Sequence, residues 1–294
     1  MTVTAPETST PLTVYRRDIT ASVPRIWENV LDWEHLPWLH RGAFLGVRLL
    51  ETWHDGWRAE VLLPPATAAR SAEIAVRLDR PALRYHTTTL SGLGAGSDIV
   101  TELAPIDATT TAIAVAFHVP GIDASVRDRA ADAYTALYRR LWDEDEAMMV
   151  RRQALLDAAA RRARAGVAGD GAAAHRGREL VGGAGTLTSA APPSLILGHE
   201  DAVRARLPLV VAFGDDEYRL VEVAGEIVVH TTVCPHLGGP LAERQLDGGT
   251  ITCPWHGYRF DVRSGANVDG RPCRLAAAPR VVIDPTTREV SLDR

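Results

Sequence analysis

Cysteine is scarce in this 294-residue chain, and three thiols, Cys234, Cys253 and Cys273, cannot build a disulfide framework. No apolar run is long enough to span a bilayer. The Thr- and Pro-rich start, Met1 to Pro11, has neither an apolar h-region nor a twin arginine. Secretion and membrane insertion are therefore not expected, and the chain reads as cytoplasmic. Gly92, Gly94 and Gly96 do not form a G-x-G-x-x-G pattern in a βαβ setting, so no flavin or nicotinamide fingerprint is present. A formal charge of −5 carries no nucleic-acid signature. What the length does allow is two separate cores.

Two of the three cysteines sit in a C-x-H-x16-C-x2-H run: Cys234, His236, Cys253 and His256. Two thiolates can hold one iron of a two-iron, two-sulfur cluster and two imidazoles the other, which raises the potential above that of an all-cysteine cluster. Zinc also takes Cys and His, but structural zinc sites favour C-x2-4-C with H-x3-5-H, a spacing this run does not have. A redox protein is expected.

The run, Cys234-Pro235-His236-Leu237-Gly238-Gly239-Pro240 and Cys253-Pro254-Trp255-His256-Gly257-Tyr258-Arg259-Phe260-Asp261, resembles the two cluster loops of the Rieske family. Glycines stand where backbone must approach the sulfides closely. Gly270-Arg271-Pro272 looks like the proline loop that covers the cluster. Rieske proteins of respiratory complexes carry an extra cysteine in each loop, and Ser and Tyr hydroxyls that bond sulfur. Here those places hold Gly239, the Pro254-Trp255 pair, Tyr258 and Phe260, so the resemblance implies a potential near the low end of the Rieske range, about −150 mV. Cys273 is expected to be a packed thiol without chemistry.

Composition changes between Ala158 and Pro193, where Ala, Gly and Arg dominate. The first part extends a helix and the rest reads as a flexible linker. The organisation expected is a catalytic domain over 12–165, a linker over 166–195 and a cluster domain over 196–294. In the last of these, Leu209 to Phe213, Tyr218 to Val223, Glu226 to His230, Thr250 to Thr252 and Arg280 to Ile283 are short β-branched or apolar runs, which predict a small antiparallel β domain.

The first half has another rhythm. A strand over Leu12 to Arg17 precedes a helical stretch from Val23 to about His40, opened by Ser22 as N-cap and Pro24 in the first turn. Strand-like segments follow at Leu45 to Glu51, Trp57 to Leu63, Glu73 to Leu78, Leu83 to Leu90, Asp98 to Leu103 and Thr110 to Val119, most with period-two alternation. A long helix from Ala124 into the Arg161 region closes the domain. This is the order of the helix-grip, or START-like, fold, an antiparallel sheet curled around one long helix with a cavity between them. The fold class expected is α+β, with a small all-β Rieske domain after it.

Asn29, Asp32, His35 and His40 form N-x2-D-x2-H-x4-H, which resembles the mononuclear-iron motif in the catalytic domain of Rieske non-haem iron oxygenases. Two imidazoles and a carboxylate on one face of ferrous iron leave positions open for oxygen. By this resemblance His35 and His40 are the nitrogen ligands. Asp32 accepts the imidazole N–H of His35 and bridges electrons from a cluster histidine of a neighbouring subunit. Taken alone, the histidines would be ordinary helix-end residues and Asp32 a surface carboxylate.

The family takes its third ligand from the closing helix. Tyr134, Leu137, Tyr138, Leu141, Met148 and Arg152 form a stripe on that helix, and Asp145 projects from it. A carboxylate there is costly unless paired or ligated, which favours Asp145, with Glu144 at the stripe's edge as the alternative. Asp143 and Glu146 fall on the solvated side. His86 and His118 read as hydrogen-bonded core or rim histidines, His54 as a turn residue, and Trp33, Trp38, Trp53 and Trp57 as packing and cavity wall.

The resemblance therefore implies an oxygenase, with hydroxylation or oxidative demethylation of a small apolar or aromatic substrate favoured over ring dihydroxylation. It would carry a 2Fe-2S cluster and mononuclear Fe(II), use O2, and draw electrons from a separate NAD(P)H-dependent reductase, directly or through a ferredoxin. A homotrimer is the family's assembly. The departure is domain order, since familiar α subunits place the Rieske domain first. The alternative is a Rieske electron carrier or redox sensor fused to a lipid- or metabolite-binding START-like domain, with no third iron.

Overall fold

The computed structural model describes residues 10–64, 70–175 and 194–293. The chain divides into two compact units, Met1–Gln153 and Ala154–Arg294. Their boundary falls inside a single helix.

Seven strands make the sheet of the first unit: β1 (Val14–Ile19), β2 (Gly46–Trp53), β3 (Gly56–Leu63), β4 (Arg70–Asp79), β5 (Arg84–Gly92), β6 (Asp98–Pro105) and β7 (Thr111–His118). The order is β1-β7-β6-β5-β4-β3-β2, and every pairing is antiparallel. Sequence alternation sets which face is buried. In β7, Thr111, Ile113, Val115 and Phe117 are buried while the residues between them are half-buried. Gly56 allows β3 to pair closely with β4, because a Cβ there would lie 1.9 Å from the Val76 carbonyl oxygen.

The long helix α3 (Arg127–His175) follows a 3-10 turn at Ala124–Val126, where the Asp123 side chain accepts the Ser125 N–H. Tyr134, Tyr138, Trp142 and Met149 pack on the core formed by Phe117, Val115, Trp57 and Ile26. Phe117 meets Tyr138 edge-on at 4.7 Å between ring centroids. The expected stripe holds at Tyr134, Tyr138 and Met148, with Leu141 lining the cavity, and widens to take in Trp142 and Met149. Glu146, expected on the solvated side, is 17% exposed, accepts the Thr20 N–H at 2.6 Å and pairs with Arg17. The helix meets the end of β1 there, which the helix pattern alone could not indicate. Sheet and helix together give the unit its helix-grip architecture.

The stretch read as one helix from Val23 to His40 is three pieces. Helix α1 (Val23–Leu31) stops at Asp32, whose side chain accepts the Glu34 N–H at 3.2 Å. A 3-10 turn (Trp33–His35) and the four-residue α2 (Leu36–Leu39) follow. Ser22 sits at the N-cap with extended backbone but no side-chain capping bond; its carbonyl oxygen accepts from Arg25 and Ile26. Trp57 Nε1 donates to the Val30 carbonyl at 2.9 Å and fastens the end of α1 to β3.

Helix α3 runs to His175, ten residues past the expected start of the linker at 166. The rest of that expectation, 176–193, lies outside the described residues. The second unit resumes with β8 (Ser194–His199) and the short α4 (Glu200–Arg204). Then come β9 (Leu209–Phe213), β10 (Asp216–Val223), β11 (Glu226–Thr231), β12 (Leu246–Asp247), β13 (Thr250–Thr252), β14 (Arg259–Asp261), β15 (Arg280–Ile283) and β16 (Glu289–Asp293). They form three antiparallel sheets, β11-β10-β9, β12-β13-β14 and β15-β16-β8. Leu220, Val290, Leu292 and Val203 are the center of one core. Leu241, Ile251 and Phe260 are fully buried beneath the paired loops that β12 to β14 carry. Strands β8, β12, β14 and β16 lie outside the expected set; β12 and β14, of two and three residues, are too short to carry a period.

On the sheet face away from α3, Thr88, Asp98 and His118 are cross-strand partners. Asp98 is 8% exposed, accepts from Thr88 Oγ1 at 2.9 Å and meets His86 Nδ1 at 2.9 Å. His86 is therefore a hydrogen-bonded sheet residue. Burial alone would raise the Asp98 carboxyl, yet the His86 and Thr88 hydrogen bonds hold it below its ordinary value. A depressed carboxyl stabilises the fold above the unfolded value, and that contribution disappears as pH falls through the folded one. Asp98→Asn should cost about 1–3 kcal/mol at neutral pH. In urea titrations the gap from the native protein should narrow once pH is taken below about 4; a gap unchanged into acid would contradict this account.

Candidate metal centres

The two cluster-type loops are built alike. Cys234 N–H donates to the Gly239 carbonyl at 2.9 Å and Gly238 N–H to the Cys234 carbonyl at 3.0 Å. In the second loop Cys253 N–H donates to the Tyr258 carbonyl at 2.9 Å and Gly257 N–H to the Cys253 carbonyl at 3.0 Å. Strands β13 and β14 hold the ends of the second loop together. Each loop thereby turns one cysteine and one histidine toward a common point.

Cys234 and Cys253 are 1% and 0% exposed, and their thiols hydrogen-bond one another. The bond from Cys234 lowers Cys253, and the same bond, with burial, raises Cys234. The rings of His236 and His256 meet edge-on with centroids 4.5 Å apart. Tyr258 lies parallel to His236, 4.4 Å away at 13°. A Cβ on Gly239 would come within 2.5 Å of Cys253 Sγ, so the loop has room for a group beside the sulfur only because residue 239 is glycine.

In the first unit, His35, His40 and Asp145 converge, their ligand atoms all within 4.8 Å of one another. Asp145 Oδ1 lies 3.5 Å from His35 Nε2 and 3.1 Å from His40 Nε2, and accepts from Asn29 Nδ2 at 3.0 Å. Both imidazoles are nearly inaccessible, and the Asp145 side chain is 14% exposed. Asp32 Oδ2 is 3.5 Å from His35 Nδ1, and Glu144 Oε2 is 2.6 Å from His40 Nδ1. Glu144, the alternative third ligand, thus meets the outer nitrogen of His40 and stays out of the group.

In this group burial and pairing act in opposite directions. Burial opposes charge on Asp145, but His40 and His35 with the Asn29 amide hold its carboxyl below the ordinary range. Burial would lower His40, and Asp145 and Glu144 outweigh it and raise the imidazole. Phe44, Trp57, Ile74, Val76 and Tyr85 complete a cavity of about 110 Å³ beside the three side chains. Trp57 is the cavity wall expected of it; Trp38 is 36% exposed, and Trp53 is covered by Arg77 at 4.3 Å.

A family model described as the Rieske [2Fe-2S] domain matches residues 194–279. The chain belongs to the Rieske [2Fe-2S] family through this C-terminal domain. It is 34% identical over 76 residues to the ferredoxin component of a naphthalene 1,2-dioxygenase system from Pseudomonas aeruginosa, covering 23% of this chain and 72% of that protein. It is 38% identical over 52 residues to the oxygenase component of 3-ketosteroid-9-alpha-monooxygenase from Rhodococcus rhodochrous, covering 18% of this chain and 14% of that one. The chain therefore spans a small part of that oxygenase component. A solved START superfamily protein from Mycobacterium smegmatis is similar over 46% of this chain and 96% of its own, with 19% identity and a TM-score of 0.38.

A 2Fe-2S cluster follows from the Rieske family match, and the residues fit it: two buried sulfurs, two adjacent imidazoles and a glycine cradle. The two-imidazole, one-carboxylate set in the first unit suits ferrous iron on donor chemistry. Among the described residues no helix is long and apolar enough to cross a membrane. Sequence reasoning did not single out Glu144 as the partner of His40 Nδ1. Its place next to Asp145, at the edge of the inward stripe, was the available signal.

Gly239→Ala should leave the Rieske domain folded by far-UV circular dichroism yet strip most of its cluster, since the added methyl would fall 2.5 Å from Cys253 Sγ. Visible absorption and acid-labile sulfide per chain measure this. Full cluster content in the variant would show that the loop yields.

Proposed function

We propose that this chain is a Rieske-type non-haem iron oxygenase with its domains in reversed order, acting on a small apolar substrate. The observation that carries the reading is the convergence of His35, His40 and Asp145 in a buried, apolar-lined cavity, in a chain that also has a Rieske domain. In this reading those three side chains hold mononuclear Fe(II), and Cys234, His236, Cys253 and His256 hold the 2Fe-2S cluster. Ferrous iron in such a set supplies activation of dioxygen next to a bound substrate.

The surrounding residues have definable tasks. Glu144 accepts the Nδ1 proton of His40, and the Asp32 carboxylate stands 3.5 Å from His35 Nδ1, an arrangement that favours free Nε2 lone pairs on both rings. Asn29 donates to Asp145 and steadies the carboxylate. The aromatic and aliphatic lining keeps bulk water away from the reacting groups. A cavity of about 110 Å³ is well below the several hundred Å³ of sites for drug-sized ligands, which favours a small substrate. Hydroxylation or oxidative demethylation is the outcome proposed. Electrons come from a separate NAD(P)H-dependent reductase, directly or through a ferredoxin, and the working assembly is a homotrimer in the cytoplasm.

A second reading has an observation in its favour: the relative matched over 72% of its length is a ferredoxin component. In that case the chain is a Rieske carrier or sensor fused to a START-like binding domain, and His35, His40 and Asp145 are a structural ion-pair cluster.

Anaerobic reconstitution separates the two. The oxygenase takes up about three irons per chain, one of them lost in the His35→Ala/His40→Ala variant, by the ligand count each centre requires. Two irons in both proteins would establish the carrier. Asp32→Asn is expected to keep all the iron and lose about 10–100-fold in oxygen uptake coupled to product, the usual effect of removing a partner of a ligating histidine.

A further inference from the structure

The ring of Tyr258 has two neighbours. It stacks on His236, and the Arg271 guanidinium lies over it with Cζ 4.3 Å from the ring centroid. Arg271 Nη1 also donates to the Tyr258 hydroxyl at 2.8 Å. Tyr258 is 7% exposed, whereas Arg271 lies at the surface. Guanidinium, phenol and imidazole are thus in contact in series, ending on a cluster-loop histidine.

The loop is built to hold that guanidinium. Asn267 Oδ1 accepts the backbone N–H of Asp269 at 2.9 Å and of Arg271 at 3.0 Å, and Cys273 N–H closes a tight turn on the Arg271 carbonyl at 2.8 Å. Asp269 accepts from Arg259 at 2.8 and 2.6 Å and also feels Arg271. Asp247 also acts on Arg259, so Arg259 is balanced by carboxylates and Arg271 is the guanidinium that meets Tyr258.

We propose that Arg271 is a positioning residue that raises the reduction potential of the cluster, acting through Tyr258 on His236. Reduction adds one negative charge to the cluster, and a fixed cation nearby favours the reduced form. Burial of Tyr258 keeps the intervening space low in dielectric, so the charge acts at greater strength than it would through water. Stacking also fixes the plane of His236. A guanidinium suits this task because it is planar, permanently charged and able to stack and donate together, whereas an ammonium cannot reproduce the stack. The sequence-based expectation of a potential at the low end of the Rieske range, drawn from missing hydroxyl donors to sulfur, is partly offset by this device. The inference rests on the Rieske domain alone and is independent of the oxygenase reading.

The test is spectroelectrochemistry of the cluster-loaded full chain, with electron paramagnetic resonance of the reduced state. Arg271→Gln should lower the reduction equilibrium constant about tenfold, a shift of 59 mV for one electron, and the shift should grow at low ionic strength, where screening is weaker. Arg271→Lys should keep about half of that shift from being lost but alter the g-values, because charge remains while the stack does not. Tyr258→Phe, which removes the hydroxyl and keeps the ring, should fall between native and Arg271→Gln. A potential in Arg271→Gln within about twofold of native, 18 mV on the same scale, overturns the proposal. A native potential in Tyr258→Phe with unchanged g-values overturns the route through the Tyr258 hydroxyl.

Discussion

A carboxylate on the inward face of a helix is the constraint from which the first unit's site follows. Asp145 stands between Trp142 and Met149, both in the core, and withdrawing its charge from water would cost several kcal/mol without partners. Asn29, His35 and His40 all address the same oxygen, Oδ1, and hold the carboxyl in its charged form. Each partner comes from the α1-to-α2 segment, so the helix charge and the broken helical stretch specify each other. Remove the carboxylate and two buried imidazoles face each other with nothing between them; remove the imidazoles and a buried anion is left without compensation.

The break at Asp32 makes this possible. In an unbroken α-helix a separation of five residues would place His40 about 140° around the axis from His35, on a different face. Asp32 ends α1 by accepting the Glu34 amide, and the 3-10 turn and α2 then reorient the chain until the rings meet edge-on at 5.1 Å. The same Asp32 carboxylate reaches His35 Nδ1 through its other oxygen. One side chain thus breaks the helix and orients a histidine, which ties local backbone structure to site geometry.

In the Rieske domain the corresponding constraint is backbone proximity. Two loops with the same pair of backbone hydrogen bonds carry one cysteine and one histidine each, and Gly239 leaves room beside Cys253 Sγ. The cores below, with Leu241, Ile251 and Phe260 inaccessible, keep those loops from relaxing. Within the second loop, Tyr258 contacts both a surface arginine and the half-buried His236 imidazole. Surface chemistry and cluster environment are therefore joined by one aromatic ring.

Much of this was legible beforehand for a simple reason: short-range spacing and period-two alternation report local chemistry and the buried face. The run from Cys234 to His256 shows its ligand types and spacing directly, and β9, β13 and β15 coincide with their apolar runs. The strands themselves follow from alternation in segments such as Thr111–His118, and the closing helix from its three-to-four apolar stripe. Short strands such as β12 and β14 escaped because two or three residues carry no period. Tertiary structure alone decided what depends on distant approach. Asp145 and Asn29 lie 116 residues apart, Glu146 folds onto Arg17 and Thr20, and Glu144 meets His40. A sequence specifies which side chains can bear charge or bind metal; only packing of helix on sheet determines which of them share one desolvated point, because burial and distance set the cost of every charge there.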